Sequence, residues 1–363
     1  MPTSIAGLGT ALPTHSIGAP ESVEYALDYF AKTDEQRRQL PLLYRMAGVK
    51  RRYSVLLDAP EGTPNRQHYF PRPESDEDAG PTMRERMATY EAKAPDLAEQ
   101  SSRAALQNAS TSPEDITHLI TVSCSGFAAP SVDIALINRL GLKRTTVRTH
   151  VGFMGCHGAF NGMRVAKAFC DSDPNARVLL CAVELCSLHY HYGWDPEQLV
   201  ANALFADGSA AVVCTGESEY DSKSWKIAAS GSCLIPESED AMTWRLGNNG
   251  FIMSLSARVP ELIASHLYDW MTPWLESHGL TLEDIKTWAI HPGGPRILTA
   301  ASKALSLPPN STDVSKEILQ SHGNMSSPTI LFILDRIRQQ GAERPCVALG
   351  FGPGLVAEAV LFV

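Results

Sequence analysis

The chain has 363 residues, 44% hydrophobic and 20% charged, the make-up of a soluble globular protein long enough for two cores. A net charge of −9 leaves no overall basic footprint for nucleic acid, and no run reaches the length of a membrane span. Eight cysteines without a Cys-x-x-Cys pair argue against structural zinc or a disulfide framework, and the opening lacks a signal-peptide pattern, so a reduced, cytoplasmic protein is expected.

In chain order, the first feature is "YRMAGVKRRY", where Arg45, Lys50, Arg51 and Arg52 form the one dense basic cluster of an acidic chain. It reads either as an anion site or as a solvated face. Residues 56 to 85 are rich in proline and acid without periodicity, which predicts a surface excursion. From Ala94, "APDLAEQSSRAALQ" predicts an amphipathic helix opened by Pro95, followed by a turn, Glu-Asp-Ile, and the strand "THLITVS". From Val259 the same grammar returns: Pro260 opens a helix, then come a turn, Glu-Asp-Ile and the strand "KTWAI". Glu114 and Glu283 are 169 residues apart, nearly half the chain. That spacing predicts a duplicated α/β unit. Between the repeats, "NARVLLCAVELCSL" and "NALFADGSAAVVC" read as strands with a turn, and "RPCVALGFGPGLVAEAVLFV" reads as a closing hairpin.

The offset continues into chemistry. Cys156 lies 42 residues after Glu114, and Asn324 lies 41 after Glu283, each at a Gly-containing turn leading into a helical pattern. His291 follows the second strand where Ser123 and Cys124 follow the first. A cysteine at a helix start gains from the backbone N–H groups, which favour a thiolate. His157 is adjacent in sequence and points away on a helix, so a base must come from elsewhere. A remote His and Asn suit acyl transfer, with His⁺ steadying the thiolate and both groups donating to a thioester oxygen as it becomes an enolate. On the residues alone, a structural cysteine at a glycine-rich turn stays open beside this reading.

"GFMGCHGAFNGMRVAKAF", "NALFADGSAA", "WAIHPGGPRIL", "SHGNMSSPTILFILDRI" and "GFGPGLVAEAVLF" together resemble the type III polyketide synthases, the chalcone-synthase-like branch of the thiolase superfamily. The resemblance runs almost end to end and implies a duplicated, five-layered αβαβα thiolase-like fold in a homodimer. It implies an N-terminal half, residues 1–220, carrying the nucleophile, and a C-terminal half, residues 221–363, carrying His and Asn. Cys156, His291 and Asn324 would form the catalytic triad, with acyl-CoA starter and malonyl-CoA as substrates and no cofactor or metal. Phe205 matches the family's gatekeeper, and Met253 falls where plant members carry a second phenylalanine. Cys124 and Cys186 stand at plant threonines lining the cavity. Leu188 and His189 continue that wall, Trp244 aligns with a plant glycine, Ser326 belongs to the Asn-Met-Ser-Ser-Pro turn, and Gly352 and Pro353 to the loop shaping the floor. Arg45 aligns with a coenzyme A contact, with Lys50 and Arg51 beside it. The motifs lean to bacterial or fungal relatives that make alkylpyrones or alkylresorcinols from fatty acyl starters. A single-condensing ketoacyl synthase III and a catalytically silent acyl-CoA-binding homologue are the competing readings.

Overall fold

The computed structural model describes residues 3–75, 77–216 and 224–363. Its first half contains β1 (Thr3–Ala11), β2 (Ser16–Gly18), α1 (Ala19–Phe30), α2 (Asp34–Met46), β3 (Arg51–Tyr53), α3 (Met83–Asn108), β4 (His118–Ser123), α4 (Val132–Leu140), β5 (Val147–Gly152), α5 (Gly158–Ser172), β6 (Arg177–Leu185), α6 (Pro196–Leu204) and β7 (Asp207–Gly216). The second contains β8 (Trp225–Leu234), β9 (Met242–Gly247), β10 (Gly250–Leu255), α7 (Val259–Glu276), β11 (Thr287–Ile290), α8 (Pro295–Ala304), α9 (Asp313–His322), α10 (Pro328–Gln339), β12 (Cys346–Gly352) and β13 (Val356–Phe362). The domain boundary expected between residues 220 and 221 lies outside the described residues.

The sequence repeat is a repeat of topology. The strand order is β1-β7-β6-β4-β5 in the first half and β8-β13-β12-β11 in the second. In each half the strand after Glu-Asp-Ile runs parallel to its neighbour, β4 to β6 and β11 to β12. The next pair is antiparallel, β6 with β7 and β12 with β13. The halves join edge to edge through β1 and β8, where Thr3, Ser4 and Ile5 face Ile227, Lys226 and Trp225.

Of four apolar cores among the described residues, three lie between the layers and the fourth joins α1, α2 and α6. Phe160 and Met163 of α5 and Ile330 and Leu334 of α10 share the central core with the inward faces of both half-sheets. Leu97 of α3 and Leu136 of α4 cover the outer face of the first half-sheet, and Ile263 of α7 and Leu298 of α8 cover that of the second. Strand alternation explains the sandwich: Val178, Leu180 and Ala182 of β6 face the central layer, while Leu179, Cys181 and Val183 face the outer one. A strand covered on both faces reads as an unbroken apolar run, which is why these segments stood out in the sequence. The five-layered αβαβα architecture is as expected.

Three local expectations are corrected. The helix expected to open at Pro95 begins at Met83, where Thr82 and Glu85 form a capping box. Pro95 lies inside it without an N–H to donate. The turns before Pro95 are held by tertiary contacts, because Arg86 and Tyr90 are buried. Arg86 donates to the carbonyls of Pro81, Leu188 and Tyr190 at 2.8, 2.5 and 3.0 Å. The excursion at 56–85 is likewise more than surface: Leu56, Leu57 and Phe70 are buried, and Arg66 pairs with Glu21 at 2.6 Å. Asn202 to Leu204, expected as the start of a strand, close α6.

Candidate active site

After β5 the chain turns through Phe153 (φ 59°) and Gly155 (φ 67°), and one 3-10 turn, Gly155–His157, runs into α5. A Cβ on Gly155 would stand 2.4 Å from Cδ of Pro353, so close approach as well as positive φ requires glycine there. Cys156 therefore sits at the N-terminal end of α5, 8% exposed. His157 is held by its own helix: its Nδ1 pairs with Asn161 Oδ1 at 3.2 Å, and Asn161 Nδ2 donates to Glu358 at 3.0 Å.

The second half supplies the partners. Asn324 precedes α10, and its Nδ2 lies 4.0 Å from the Cys156 sulfur while its Oδ1 accepts from the Ser326 N–H at 2.8 Å. His291 follows β11, its N–H bound to Leu349 O at 2.7 Å. The neighbouring β12 ends against the nucleophile turn: a Cβ on Gly350 would meet Cβ of His291 at 3.4 Å, and one on Gly352 would fall 2.1 Å from the His157 ring. One strand end thus packs both histidines around the turn bearing Cys156. His291 is 1% exposed, and neither of its ring nitrogens has a hydrogen-bond partner among the described residues.

Burial decides the charges. It pushes the Cys156 thiol up to about 11, although hydrogen bonds from Ser326 and Asn324 pull the other way. Burial first, then the nearby His157, brings His291 down to about 3. Both shifts favour the uncharged forms, against the thiolate–imidazolium pair expected from the sequence, because burial is the largest cause at each group.

A cavity of about 20 Å³ opens at the thiol. Cys124, Cys156, Cys186, Phe205, Trp244, Met253, Ser326 and Pro353, all singled out from the sequence, line it together. Trp244 and Met253 face each other across the β9–β10 hairpin, and the Trp244 indole donates to Cys124 O at 2.8 Å. Cys124 Sγ lies 3.3 Å from Ser326 Oγ. Burial, reinforced by Glu184, holds the Cys124 and Cys186 thiols well above the ordinary range, so both line the cavity as neutral thiols.

Residues 2–218 match the family described as chalcone and stilbene synthases, N-terminal domain, and residues 226–363 match its C-terminal domain. The chain belongs to the chalcone and stilbene synthase family. It is a type III polyketide synthase, an acyltransferase. It is 34% identical to a 1,3,6,8-tetrahydroxynaphthalene synthase of Streptomyces peucetius subsp. caesius, over 99% of this chain and 92% of that one. The α-pyrone synthesis polyketide synthase-like Pks18 of Mycobacterium tuberculosis is 30% identical over the same shares, 99% and 92%. The crystal structure of PKS-I from the brown alga Ectocarpus siliculosus superposes with a TM-score of 0.93 at 29% identity, covering 99% of this chain and 98% of the other.

Other expected positions of the synthase divide. His189 lines an adjoining cavity with Trp244 and Phe251. Its Nε2 donates to Ser125 O at 2.6 Å and its Nδ1 accepts from the Phe251 N–H at 3.0 Å, which fixes one tautomer; burial brings it down to about 3. Leu188 is fully buried in the outer core of the first half, on the 3-10 turn Cys186–His189 that follows β6. Gly352 backs the His157 ring, and Pro353 beside it reaches the cavity. Arg45 and Lys50 are exposed and have no ion-pair partner among the described residues, whereas Arg51 pairs with Glu61 at 3.3 Å. Arg52 turns inward, donating to the Phe205 carbonyl at 3.2 Å and to Asn202 O and Ser22 Oγ.

Sequence reasoning missed Glu184. Fully buried, it accepts from the Cys124 and Ser125 N–H groups at 2.9 Å each, from Ser125 Oγ at 2.6 Å and from Ser327 Oγ at 2.8 Å. It ties the loop after β4 in the first half to the start of α10 in the second. A lone acid inside the apolar run "LLCAVELC" was the available signal.

Proposed function

We propose that Cys156 carries the growing acyl chain, that His291 moves the thiol proton, and that Asn324 and His291 hold the enolate oxygen formed from malonyl-CoA. The observation that carries this reading is the pairing of a fully buried His291, with both nitrogens unpartnered, and an Asn324 amide 4.0 Å from the thiol. An unpaired buried polar group costs about 1–3 kcal/mol, a cost that a substrate oxygen at His291 would remove.

In the loading step Cys156 Sγ attacks the starter thioester carbonyl as His291 takes its proton. The C–S bond to coenzyme A breaks, and the departing thiolate takes the proton back. In extension the malonyl C–C bond breaks, carbon dioxide leaves, and its electron pair becomes the acetyl-CoA enolate, held by N–H donors of Asn324 and His291. The enolate carbon attacks the Cys156 thioester and expels the thiolate. Reloading of the lengthened chain repeats the cycle until it closes on itself.

The starter is a fatty acyl-CoA and the product a pyrone or resorcinol. Methionines 242 and 253 and Trp244 in the cavity support an apolar chain, and one relative is named for α-pyrone synthesis. Arg45 and Lys50 hold the coenzyme A phosphates, Arg51 assisting. A homodimer buries β5, the edge of the sheet, with Val147 exposed on it, Phe153 and Met154 exposed just after it, and Phe127 beside them. All eight cysteines are free, which suits a reducing cytoplasm. Intact-mass detection of a fatty acyl adduct that disappears in Cys156→Ser tests the loading step; light scattering at one-chain mass would contradict the dimer.

A further inference from the structure

Helix α2 carries one face for its own core and another for something outside the chain. Leu40 and Tyr44 are buried with residues of α1 and α6. On the opposite side Arg38, Leu42, Arg45 and Met46 recur at the i, i+4, i+7 and i+8 spacing of a single helical stripe, and all four are exposed. Leu42 is 54% and Met46 60% exposed. Arg38 and Arg45 stand two turns apart, about 10 Å along the axis, with Leu42 between them.

Further cations gather around the stripe. Arg37 and Lys50 are exposed beside it. Arg296, exposed on α8, comes near because the residues after α2 pack there: a Cβ on Gly48 would stand 2.5 Å from Cγ of Pro295. Unlike Arg51, which pairs with Glu61, Arg37, Arg38, Arg45, Lys50 and Arg296 have no ion-pair partner among the described residues. Acidic groups mark the limits of the patch. Asp34 and Glu35 are exposed in the first turn of α2, and Glu24 and Asp28 are exposed on the neighbouring α1.

We propose that this face of α2 docks the synthase on an anionic lipid surface, with Leu42 and Met46 inserted at headgroup depth and Arg37 and Arg38 on lipid phosphates. Charge complementarity names the occupant: a chain of net charge −9 concentrates unpaired cations on one face, and that face alone is attracted to a densely anionic surface. The exposed apolar tips between those cations decide for lipid over an acidic protein, because a fluid headgroup layer accepts them without a shape-complementary partner. Repulsion at Glu24 and Asp28 then fixes the orientation. Docked this way, the cations assigned to coenzyme A, Arg45 and Lys50, lie beside the layer into which fatty acyl-CoA and alkylated products partition. That consequence rests on the fatty acyl reading; the docking itself does not.

Flotation of the full chain with lipid vesicles tests the proposal without reference to catalysis. Vesicles of phosphatidylcholine and phosphatidylglycerol in equal parts should carry the protein upward, and phosphatidylcholine vesicles should not. Added salt should release it. One cation near an anionic surface is worth about fivefold in partitioning, so Arg38→Gln should weaken binding by about that factor. Leu42→Gln should also weaken it about fivefold, since half a leucine side chain loses its burial. Both variants should decarboxylate malonyl-CoA as the wild type does, and Arg103→Gln, on α3, should bind vesicles unchanged. No binding to the mixed vesicles, equal binding to both kinds, or binding untouched by both α2 substitutions would overturn the docking face. So would a wild type that ignores vesicles and binds a purified acidic acyl carrier protein through Arg38. Failure of the fatty acyl reading would show separately, as a wild type that floats with mixed vesicles yet forms no fatty acyl adduct on Cys156.

Discussion

Phe205 and Asn324 are paired backbone to backbone: the Asn324 N–H donates to Leu204 O at 2.9 Å, and the Ala206 N–H donates to Asn324 O at 2.9 Å. The residue at the cavity junction in one half is thus registered against the amide beside the thiol in the other. The Asn324 backbone holds position, and its side chain is left for chemistry.

Asn324→Ala should therefore keep the fold and lose the reaction. The two backbone bonds survive, while the Ser326 N–H loses its acceptor and the Cys156 sulfur its amide contact, a cost of about 1 kcal/mol. Malonyl-CoA decarboxylation should fall about 10²–10³-fold, the range for removing one oxyanion donor. Calorimetry beside a decarboxylation assay separates the two effects; a large drop in Tm would make Asn324 a structural residue.

The uncharged resting pair sets a pH signature. With the Cys156 thiol held up to about 11 and His291 down to about 3, little thiolate exists at neutral pH. Iodoacetamide alkylation of Cys156, followed by peptide mapping, should accelerate about tenfold per pH unit from 7 toward 10. A rate already level from pH 6 would reveal a thiolate–imidazolium pair instead.

Stability should fall on acidification. His189 and His291 are both held at about 3 in the folded chain, against about 6.5 unfolded, so between these values the unfolded state binds the extra protons. Each histidine then removes up to about 1.4 kcal/mol per pH unit as pH drops from about 6.5 toward 3. Asp207, raised to about 6 by burial, opposes them between about pH 6 and 4, where the folded state takes up its proton first. Urea titrations at pH 7.5, 6, 5 and 4 should show a net decline; unchanged stability down to pH 4 would mean the imidazoles are charged in the fold.

Gly352→Ala should damage the site through His157. A Cβ there stands 2.1 Å from the imidazole, and overpacking of this kind costs about 1–3 kcal/mol. His157→Ala should restore most of the lost Tm in that background, although alone it destabilises. Additive losses in the double variant would place the clash elsewhere.

Much of the fold was legible because strands buried on both faces leave apolar runs, and because a duplicated chain repeats its turns. Eight cavity residues were legible one at a time through the family resemblance. What stayed hidden depends on three-dimensional anchoring. Pro95 gave a false helix start because Arg86 and Tyr90, far from it in effect, hold the earlier turns. Leu188 and Cys186 are two residues apart, and only the geometry of the turn after β6 sends one to the core and the other to the cavity. Arg52 looked like its basic neighbours, yet one residue's change of direction makes it a prop for Phe205.

The most direct test is mass spectrometry of products formed from malonyl-CoA with acyl-CoA starters of graded length, wild type beside Cys156→Ala. Cyclised products containing two or more malonyl-derived extensions, absent in the variant, are predicted. The same products from Cys156→Ala, or only single-condensation products from the wild type, would contradict iterative synthesis on this cysteine.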